Sequence, residues 1–276
     1  MKISFLGGGN MATALVGGLL KQGGGIAAAD ICVVEPQVEG RERLASAFGV
    51  RCFAAVEPAA LACDALVLAV KPQQMQAALK PLAGKLDRQL LISIAAGTRL
   101  ADIARWLGGY PRLVRAMPNT PALIGAGITG LFADPSVDAA GRAQTEQILA
   151  AAGKTLWIAA EPMMDAVTAI SGSGPAYVFY FIEALANAAR ELGFDGESAR
   201  QLALETFVGA AALAAGSSED VGILRARVTS PGGTTEAALK SLEADAVAAA
   251  IGRAVRAAEA RGRELGEKLG QDATAC

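Results

Sequence analysis

The N-terminal segment KISFLGGGNMATALVGGLL places three consecutive glycines between an apolar β-type run and an apolar helical run. Gly7, Gly9 and Ala12 fall on the G-x-G-x-x-G/A pattern. In that pattern the first glycine makes a tight turn, the second lets the backbone approach a pyrophosphate, and the third position keeps the helix close to the sheet. The pattern alone is weak, but here a strand precedes it and a helix follows. The segment therefore predicts a dinucleotide-binding loop; the alternative is a glycine turn that only closes a βα unit.

Up to about residue 160 the chain alternates short β-type runs with helical runs. Such alternation is typical of a parallel sheet covered by helices on both faces. We expect a Rossmann-type, doubly wound α/β domain over residues 1–160, followed by an all-α domain over residues 161–276. The strands are predicted at Ile3–Leu6, Ile31–Glu35, Ala65–Val70, Leu90–Ile94 and Leu113–Met117.

An acidic residue, Glu35, ends the second predicted strand. A carboxylate at that place accepts a hydrogen bond from a ribose 2′-OH and repels a 2′-phosphate, which favours NAD(H) over NADP(H). Arg41 and Arg43, one turn later, are within reach of a 2′-phosphate and favour the opposite choice. Glu35 can also be a solvated strand end beside Pro36. The sequence therefore leaves NADPH and NADH both open.

Two further loops follow strands of the same predicted sheet. AVKPQQM places Lys71 and Pro72 after one strand, and SIAAGT places Ala95–Gly97 after another. In an open α/β sheet the ligand lies outside the carboxyl ends of the strands, so both loops are expected at the dinucleotide. Lys71 either contacts its phosphate or ribose or is a solvated lysine. The RAMPNTP turn, residues 115–121, either borders the nicotinamide or is purely structural.

The second half of the chain is helical. SGSGP, residues 171–175, precedes a helix predicted from Pro175 to Leu192, with Gly193 as its stop. Apart from one narrow polar stripe this helix is apolar all round, and a small helical domain offers it little cover. We therefore expect an obligate homo-oligomer whose second halves interlock. The SGSGP residues either let the helix pack tightly or cap its N-terminus.

A second glycine loop, TSPGGTTE at residues 229–236, stands directly ahead of the helical run AALKSL. The N–H groups at a helix N-terminus favour negative charge, so this loop predicts an anion site of its own. Because the first loop already serves a pyrophosphate, the second is expected to hold a different ligand.

Composition excludes several other classes of protein. A formal charge of −2 and a pI near 5.4 give no basic field for nucleic acid. Four cysteines without C-x-x-C spacing indicate reduced thiols. No uncharged apolar run approaches the roughly 18 residues of a membrane span, and glycines interrupt the apolar N-terminus where a signal peptide would be continuous. We expect a cytoplasmic protein with neither a nucleic-acid partner nor a membrane segment.

The chain contains no histidine. This removes imidazole acid–base catalysis, Ser-His-Asp and Cys-His nucleophiles, and every metal site that uses histidine. Any reaction must rely on a cofactor, on carboxylates, lysines or tyrosines, or on backbone groups and hydroxyls. No metal site is predicted.

The chain resembles the pyrroline-5-carboxylate reductases in the motifs FLGGGNMA, AVKPQ, SIAAGT, RAMPNTP, DAVTAISGSGPAYVFYFIEAL and VTSPGGTTEAAL, whose order and spacing cover its whole length. The resemblance implies reduction of L-1-pyrroline-5-carboxylate to L-proline with NADPH or NADH, the last step of proline biosynthesis. It also implies a Rossmann domain followed by a helical dimerisation domain, with dimers often assembled into decamers.

The resemblance also assigns site residues to the two ligands. The dinucleotide would be bound by Leu6, Gly7, Gly8, Gly9, Asn10, Met11, Ala69, Val70, Lys71, Pro72, Ala95, Ala96 and Gly97. The imino-acid substrate would be bound by Glu161, Ser230, Gly233, Thr234 and Thr235. The anion of the second loop would then be the substrate carboxylate, held by Ser230, Thr235 and the N–H groups of Gly233 and Thr234. Whether this loop serves the nucleotide site of its own subunit or of a neighbour stays open.

Thr235 is the candidate catalytic residue, because its hydroxyl can hydrogen-bond the ring nitrogen of the imine. It either helps to deliver the proton or only positions the substrate. A cyclic imine is basic enough to be protonated before or during reduction, which suits a chain without histidine. The protein then mainly orients two reactants, a contribution of about 7–11 kcal/mol.

Two positions depart from the family pattern. Val56 stands where the family often has an asparagine that touches the cofactor, and Glu35 weakens the family's preference for NADPH. A β-hydroxyacid dehydrogenase is the nearest alternative, but it sets a catalytic lysine on the first long helix after the cofactor domain, and no lysine occurs between Lys154 and Lys240. A non-catalytic dinucleotide-binding regulator is a further alternative, and it would have no need of the second anion loop.

Overall fold

The computed structural model describes residues 1–21 and 25–271. Two compact units divide this part of the chain. The first contains residues 1–173 and the C-terminal segment from Ala258 onward, and the second contains residues 174–257. None of the described helices is long and apolar enough to cross a membrane.

The first unit is built on one sheet. In chain order its strands are β1 Ile3–Leu6, β2 Ile31–Val34, β3 Arg51–Phe53, β4 Ala65–Leu68, β5 Leu90–Ser93, β6 Leu113–Met117, β7 Gly127–Ala133 and β8 Gly153–Trp157. Their order across the sheet is β3-β2-β1-β4-β5-β6-β7-β8. Neighbouring strands are parallel, except that β7 runs antiparallel to β6. The five predicted strands are confirmed, with ends that shift by a residue or two.

Three strands, β3, β7 and β8, are absent from the prediction because their sequences carry weak strand signals. β3 has only three residues, β7 contains two glycines, and β8 has no fully buried residue. The connection from β6 to β7 is a 3-10 turn, Thr120–Ile124, which is too short for the crossover that a parallel return requires. The sheet is therefore parallel from β3 to β6 and reverses at β7.

Helices cover both faces of this sheet. They are α1 Asn10–Lys21, α2 Val38–Phe48, α3 Pro58–Leu61, α4 Met75–Leu79, α5 Leu100–Trp106, α6 Ala139–Leu149 and α7 Met163–Val167. Phe5 of β1 lies in one buried cluster with Leu15 of α1, and Leu68 of β4 lies in a second cluster with Met75 of α4. Strands that are buried on both faces read as continuous apolar runs, which explains why the sequence revealed them. The doubly wound Rossmann-type fold is confirmed.

The second unit is helical, as predicted. Its helices are α8 Gly174–Glu191, α9 Gly196–Gly216, α10 Val221–Arg227, α11 Thr234–Ala244 and the first part of α12, Val247–Gln271. The predicted stop of α8 is confirmed, since Gly193 has φ +100°, a conformation that favours glycine. Asp195 caps α9 by accepting hydrogen bonds from the Ser198 N–H, the Ser198 hydroxyl and the Glu197 N–H, and these bonds lower the pKa of its carboxyl group.

The boundary between the units differs from the predicted division at residue 160. Residues 161–173 belong to the first unit, because Glu161 and Asp165 pair with Arg115 of β6 and Val167 packs over Gly130 of β7. The C-terminal part of α12 also belongs to the first unit. The compact units therefore do not coincide with the predicted domains, and the division into domains at residue 160 stays a prediction.

Candidate functional site

The glycine loop between β1 and α1 has the geometry that its sequence predicts. Gly7 has φ +104°, its N–H donates to the Val34 carbonyl at 2.8 Å, and an added Cβ would lie 2.6 Å from the Ala69 carbonyl oxygen. A side chain at this position would therefore be both strained and blocked. Gly9 is exposed, and an added Cβ there would meet no atom within 4 Å. The loop thus leaves open space beside the N-terminus of α1, where N–H groups favour a phosphate.

The three predicted cofactor loops follow β1, β4 and β5, which are neighbours in the sheet. The Ala69 N–H donates to the Leu6 carbonyl at 2.8 Å, and the Ile94 N–H donates to the Leu68 carbonyl at 3.1 Å. The loops therefore emerge side by side at the carboxyl edge of the sheet. The strand order reverses between β1 and β4, and such switch points bind dinucleotides in this class of fold. The predicted loop residues are brought together here: Leu6–Met11, Ala69–Pro72 and Ala95–Gly97.

Glu35 and two arginines form a network around the glycine loop. The Glu35 carboxylate accepts hydrogen bonds from the Gly8 N–H through Oε2 and from the Gln37 N–H through Oε1, both at 2.9 Å. Arg43 donates to the Gly8 carbonyl at 2.9 Å. Arg41 donates to the Glu35 carbonyl at 2.9 Å and to the Pro36 carbonyl at 2.7 Å. Glu35 is therefore more than a solvated strand end.

Lys71 is exposed at the start of the 3-10 helix Pro72–Gln74. Its contact with a phosphate or ribose stays a prediction. Val56 is half-buried and packs against the buried cluster that contains Leu68. A valine can fill this apolar place, but it offers no hydrogen bond to a cofactor.

A buried ion-pair cluster, which the sequence analysis missed, holds Glu161. Arg115 of β6 is 4% exposed and lies 3.2 Å from Glu161 Oε1 and 3.6 Å from Asp165 Oδ1. Glu161 Oε1 also accepts the Leu100 N–H at 2.8 Å, at the N-terminus of α5, where negative charge is favoured. A cavity of about 670 Å³ with charged groups of both signs lies beside this cluster. Glu161 was predicted to bind substrate, and that role stays a prediction.

The C-terminal part of α12 packs against the SIAAGT loop. The sequence did not predict this contact. An added Cβ at Gly266 would lie 2.9 Å from the Gly97 carbonyl oxygen, and one at Gly270 would lie 3.0 Å from Asp102 Oδ2. Arg99 and Glu267 form an ion pair at 3.7 Å beside this contact. The glycine spacing of four residues puts both close approaches on one helix face, so α12 buttresses a predicted cofactor loop.

Asn119 braces the RAMPNTP turn. It is 9% exposed, its Nδ2 donates to the Ser171 carbonyl at 3.1 Å, and its Oδ1 accepts the Ile128 N–H at 3.0 Å. These bonds give the turn a structural role. Whether it also borders the nicotinamide stays a prediction.

The TSPGGTTE loop precedes α11 as predicted, with Gly233 as the N-cap residue. The Gly233 N–H donates to the Ser230 carbonyl at 3.0 Å, so it is used within the loop rather than offered to an anion as the sequence analysis expected. Glu236 Oε2 accepts the Gly232 N–H at 2.9 Å and pairs with Lys240 at 3.3 Å. The amides expected to face an anion are therefore those at the start of α11.

The predicted substrate residues divide between the units. Ser230 and Thr234 are exposed, and Gly233 and Thr235 are half-buried, all in the second unit. Glu161 and the cofactor loops belong to the first unit. The cofactor residues thus belong to the first unit and the TSPGGTTE residues to the second.

The described cysteines are free thiols and do not favour a thiol-based reaction. They are Cys32, Cys52 and Cys63. Burial raises the pKa of the Cys63 thiol and of the Cys52 thiol. Because the thiolate is the nucleophilic form, both thiols are poor nucleophiles near neutral pH.

The fold and the glycine loop at the switch point define a dinucleotide-binding oxidoreductase of the Rossmann class. The family profile for pyrroline-5-carboxylate reductase dimerisation matches residues 161–265, and the profile for coenzyme F420-dependent NADP oxidoreductases matches residues 2–97. A pyrroline-5-carboxylate reductase of Pseudomonas aeruginosa is 45% identical over 271 residues, which cover 98% of each chain.

Two solved structures agree with this assignment. A pyrroline-5-carboxylate reductase from Coxiella burnetii is 40% identical with a TM-score of 0.90, and the match covers 96% of this chain and 98% of that one. A pyrroline carboxylate reductase from Plasmodium falciparum, solved with NADP bound, is 31% identical with a TM-score of 0.84 and the same coverage. The chain belongs to the pyrroline-5-carboxylate reductase family, and the resemblance inferred from the motifs is confirmed.

The contact between α12 and the SIAAGT loop leads to a test. Gly266→Ala would push a methyl group against the Gly97 carbonyl oxygen, so we expect the dissociation constant for NADPH, measured by nicotinamide fluorescence, to rise about tenfold, with a loss of stability of about 1–3 kcal/mol. Gly262→Ala on the same helix is the control, because its Cβ would lie 4.0 Å from the nearest atom, Asp165 Cβ. Equal cofactor affinity in the two variants would contradict the supporting role.

Proposed function

We propose that this protein reduces L-1-pyrroline-5-carboxylate to L-proline with NADPH or NADH. The observation that carries the proposal is a dinucleotide loop at the β1–β4 switch point, in a chain related over nearly its whole length to pyrroline-5-carboxylate reductases. The reaction completes proline biosynthesis. A non-catalytic regulator would share the dinucleotide loop, so enzymatic turnover is the discriminating property.

The cofactor lies, in this proposal, along the carboxyl edge of the sheet. Its pyrophosphate is held by the loop Leu6–Met11 and the N-terminus of α1. The loops Ala69–Pro72 and Ala95–Gly97 line the rest of the dinucleotide, and Glu35 lies at its adenosine end. The open space at Gly9 and the absence of room for a side chain at Gly7 support this placement. When bound, the reduced nicotinamide supplies the hydride.

The substrate carboxylate is held, in this proposal, at the N-terminus of α11. Ser230, Thr234 and Thr235 bind it, and Gly233, predicted to bind it as well, shapes the turn by donating its N–H to the Ser230 carbonyl. A helix N-terminus suits a carboxylate because its first N–H groups have no partner within the helix. Glu236 brings negative charge close to this place, and its ion pair with Lys240 offsets that charge. Glu161 completes the substrate-binding set.

The chemistry fits a protein without histidine. The imine carbon of the substrate accepts a hydride and the ring nitrogen accepts a proton. The C=N double bond of the imine thereby becomes the C–N single bond of the product amine. The imine is basic enough to take its proton from solvent, and a hydroxyl bonded to the ring nitrogen can relay that proton while solvent replaces its own. Thr235 is half-buried at the start of α11 and is our candidate for the hydrogen bond to the ring nitrogen. Its hydroxyl either helps to transfer the proton or only orients the ring.

An activity assay tests the proposed reaction and the role of Thr235. We expect the protein to oxidise NADPH or NADH when pyrroline-5-carboxylate is added, as followed by absorbance. Thr235→Ala should lower turnover about a hundredfold if the hydroxyl helps to transfer the proton, and about tenfold if it only orients the ring. Cofactor affinity should stay unchanged.

Thr235→Ser keeps the hydroxyl and should restore most of the lost turnover. Thr229→Ala is a second control and should keep its turnover, because the Thr229 hydroxyl already donates to the Arg225 carbonyl. Absence of cofactor oxidation by the unchanged protein would refute the proposed function. Full turnover of Thr235→Ala would remove only the role of Thr235.

We further propose that the protein is a homo-oligomer assembled through its second unit, with a dimer as the basic form and a decamer as a larger one. Large apolar side chains on its helices are exposed in the single chain: Phe179 is 66% exposed, Tyr180 69% and Leu213 63%. Exposed apolar surface of this kind favours association. A cytoplasmic location is likewise a proposal, supported by the free described cysteines.

Light scattering tests the oligomer. At micromolar concentration we expect a mass of at least twice the 28.0 kDa of one chain. Phe179→Glu should shift the mass toward one chain, because a buried unpaired carboxylate destabilises an apolar interface. Ala139→Glu, at an exposed position of α6 in the first unit, should leave the mass unchanged. A mass of one chain for the unchanged protein would contradict the proposal.

A further inference from the structure

Glu35 stands where Rossmann proteins often carry an acidic residue that accepts a ribose 2′-OH and disfavours a 2′-phosphate. In this structure each of its two carboxylate oxygens already accepts a backbone N–H: Oε2 from Gly8 and Oε1 from Gln37, both at 2.9 Å. Gln37 is the N-cap residue of α2, so the carboxylate also lies at a helix N-terminus, which stabilises negative charge. The side-chain conformation of Glu35 is therefore set by the protein rather than by a ribose.

Two glycines make room for the Glu35 side chain. An added Cβ at Gly40 would lie 2.8 Å from Glu35 Cγ and 3.2 Å from its Cδ. An added Cβ at Gly8 would lie 3.2 Å from Glu35 Cβ and Cγ, and 2.7 Å from Leu44 Cδ1. Gly40 lies inside α2, where glycine is a poor helix former. Its presence there is explained by the space that Glu35 needs.

The glycine loop is also held through the carbonyl group of Gly8. Arg43 of α2 donates to the Gly8 carbonyl at 2.9 Å, so Gly8 is bonded through its N–H to Glu35 and through its C=O to Arg43. Arg41 donates to the Glu35 carbonyl at 2.9 Å. One carboxylate and two guanidinium groups thus occupy the adenosine end of the proposed site. Both arginines donate to backbone carbonyls here, while the Glu35 carboxylate accepts backbone N–H groups.

We propose that Glu35 is a positioning residue of the glycine loop, which supports NADH and NADPH alike and does not select between them. The proposal rests on the proposed function only in taking the loop as the dinucleotide site. The Glu35 carboxylate fixes Gly8, and through it the path of the loop toward Gly9 and the N-terminus of α1. The pyrophosphate is common to both cofactors, so loss of this support weakens both equally.

Dissociation constants for NADPH and NADH, measured by fluorescence titration of the purified full-length protein, test the proposal. Glu35→Gln keeps the size of the side chain but places an NH₂ group against one of the two backbone N–H groups. We expect both constants to rise by about tenfold, as for loss of one hydrogen bond to a charged group, with their ratio unchanged within about twofold. In steady-state assays with each cofactor separately, the loss should appear as a higher KM for that cofactor rather than as a lower kcat.

Gly40→Ala provides a second variant that leaves every charge in place. Its methyl group would displace the Glu35 side chain, so we expect the same equal loss of affinity for both cofactors. The higher helix propensity of alanine offsets part of the stability lost by this displacement, and a melting curve checks that the variant remains folded. Glu39→Gln, at an exposed position of α2, removes one negative charge of the same helix and should change neither constant by more than about twofold.

A change in the ratio of the two constants would overturn the proposal. If Glu35→Gln tightens NADPH while it weakens or spares NADH, Glu35 selects the cofactor directly. If Glu35→Gln and Gly40→Ala both bind as the unchanged protein does, Glu35 does not position the loop. Failure of the unchanged protein to bind either dinucleotide would instead refute the proposed function, and the inference with it.

Discussion

The structure depends on the turn at Gly7. With φ +104° and no Cβ, this residue lets the chain leave β1 while its N–H donates to β2. A Cβ here would meet the carbonyl of Ala69 after β4. The turn at this residue thus lies where β1, β2 and β4 end side by side and α1 begins. The open space at the switch point, the position of Gly8 between Glu35 and Arg43, and the place proposed for the cofactor all follow from it.

The proposed site relies on backbone groups more than on titratable side chains. The chain has no histidine, and both of its glycine loops end at a helix N-terminus. N–H groups bind anions without changing protonation state, which suits two anionic ligands. Charged side chains act on the backbone: Glu35 binds two amides and Arg43 binds one carbonyl near the first loop, and Glu161 binds the N-terminus of α5. They hold loops in place, and the reaction then needs mainly orientation and one proton.

Much of the fold was predictable because its central strands are buried on both faces and read as apolar runs. The glycine loop was predictable because its pattern and its context are both local. β7 was missed because Gly130 interrupts the apolar run of the strand. A glycine is needed there because Val167, from a distant segment of the chain, packs over it. The support of Glu161 by Arg115, and of Gly97 by Gly266, joins residues far apart in the chain. Such contacts leave no pattern in a single sequence. The predicted set of N–H groups that bind an anion in the TSPGGTTE loop was wrong for Gly233, whose N–H donates to the Ser230 carbonyl instead.

The central claim is that hydride passes from the nicotinamide to the imine carbon of pyrroline-5-carboxylate. Mass spectrometry of the product formed with NADPH or NADH carrying two deuterium atoms at C4 of the nicotinamide tests it most directly. The account predicts proline with one added deuterium, on the ring carbon that was part of the imine. Proline without deuterium, or no proline with either cofactor, would contradict it.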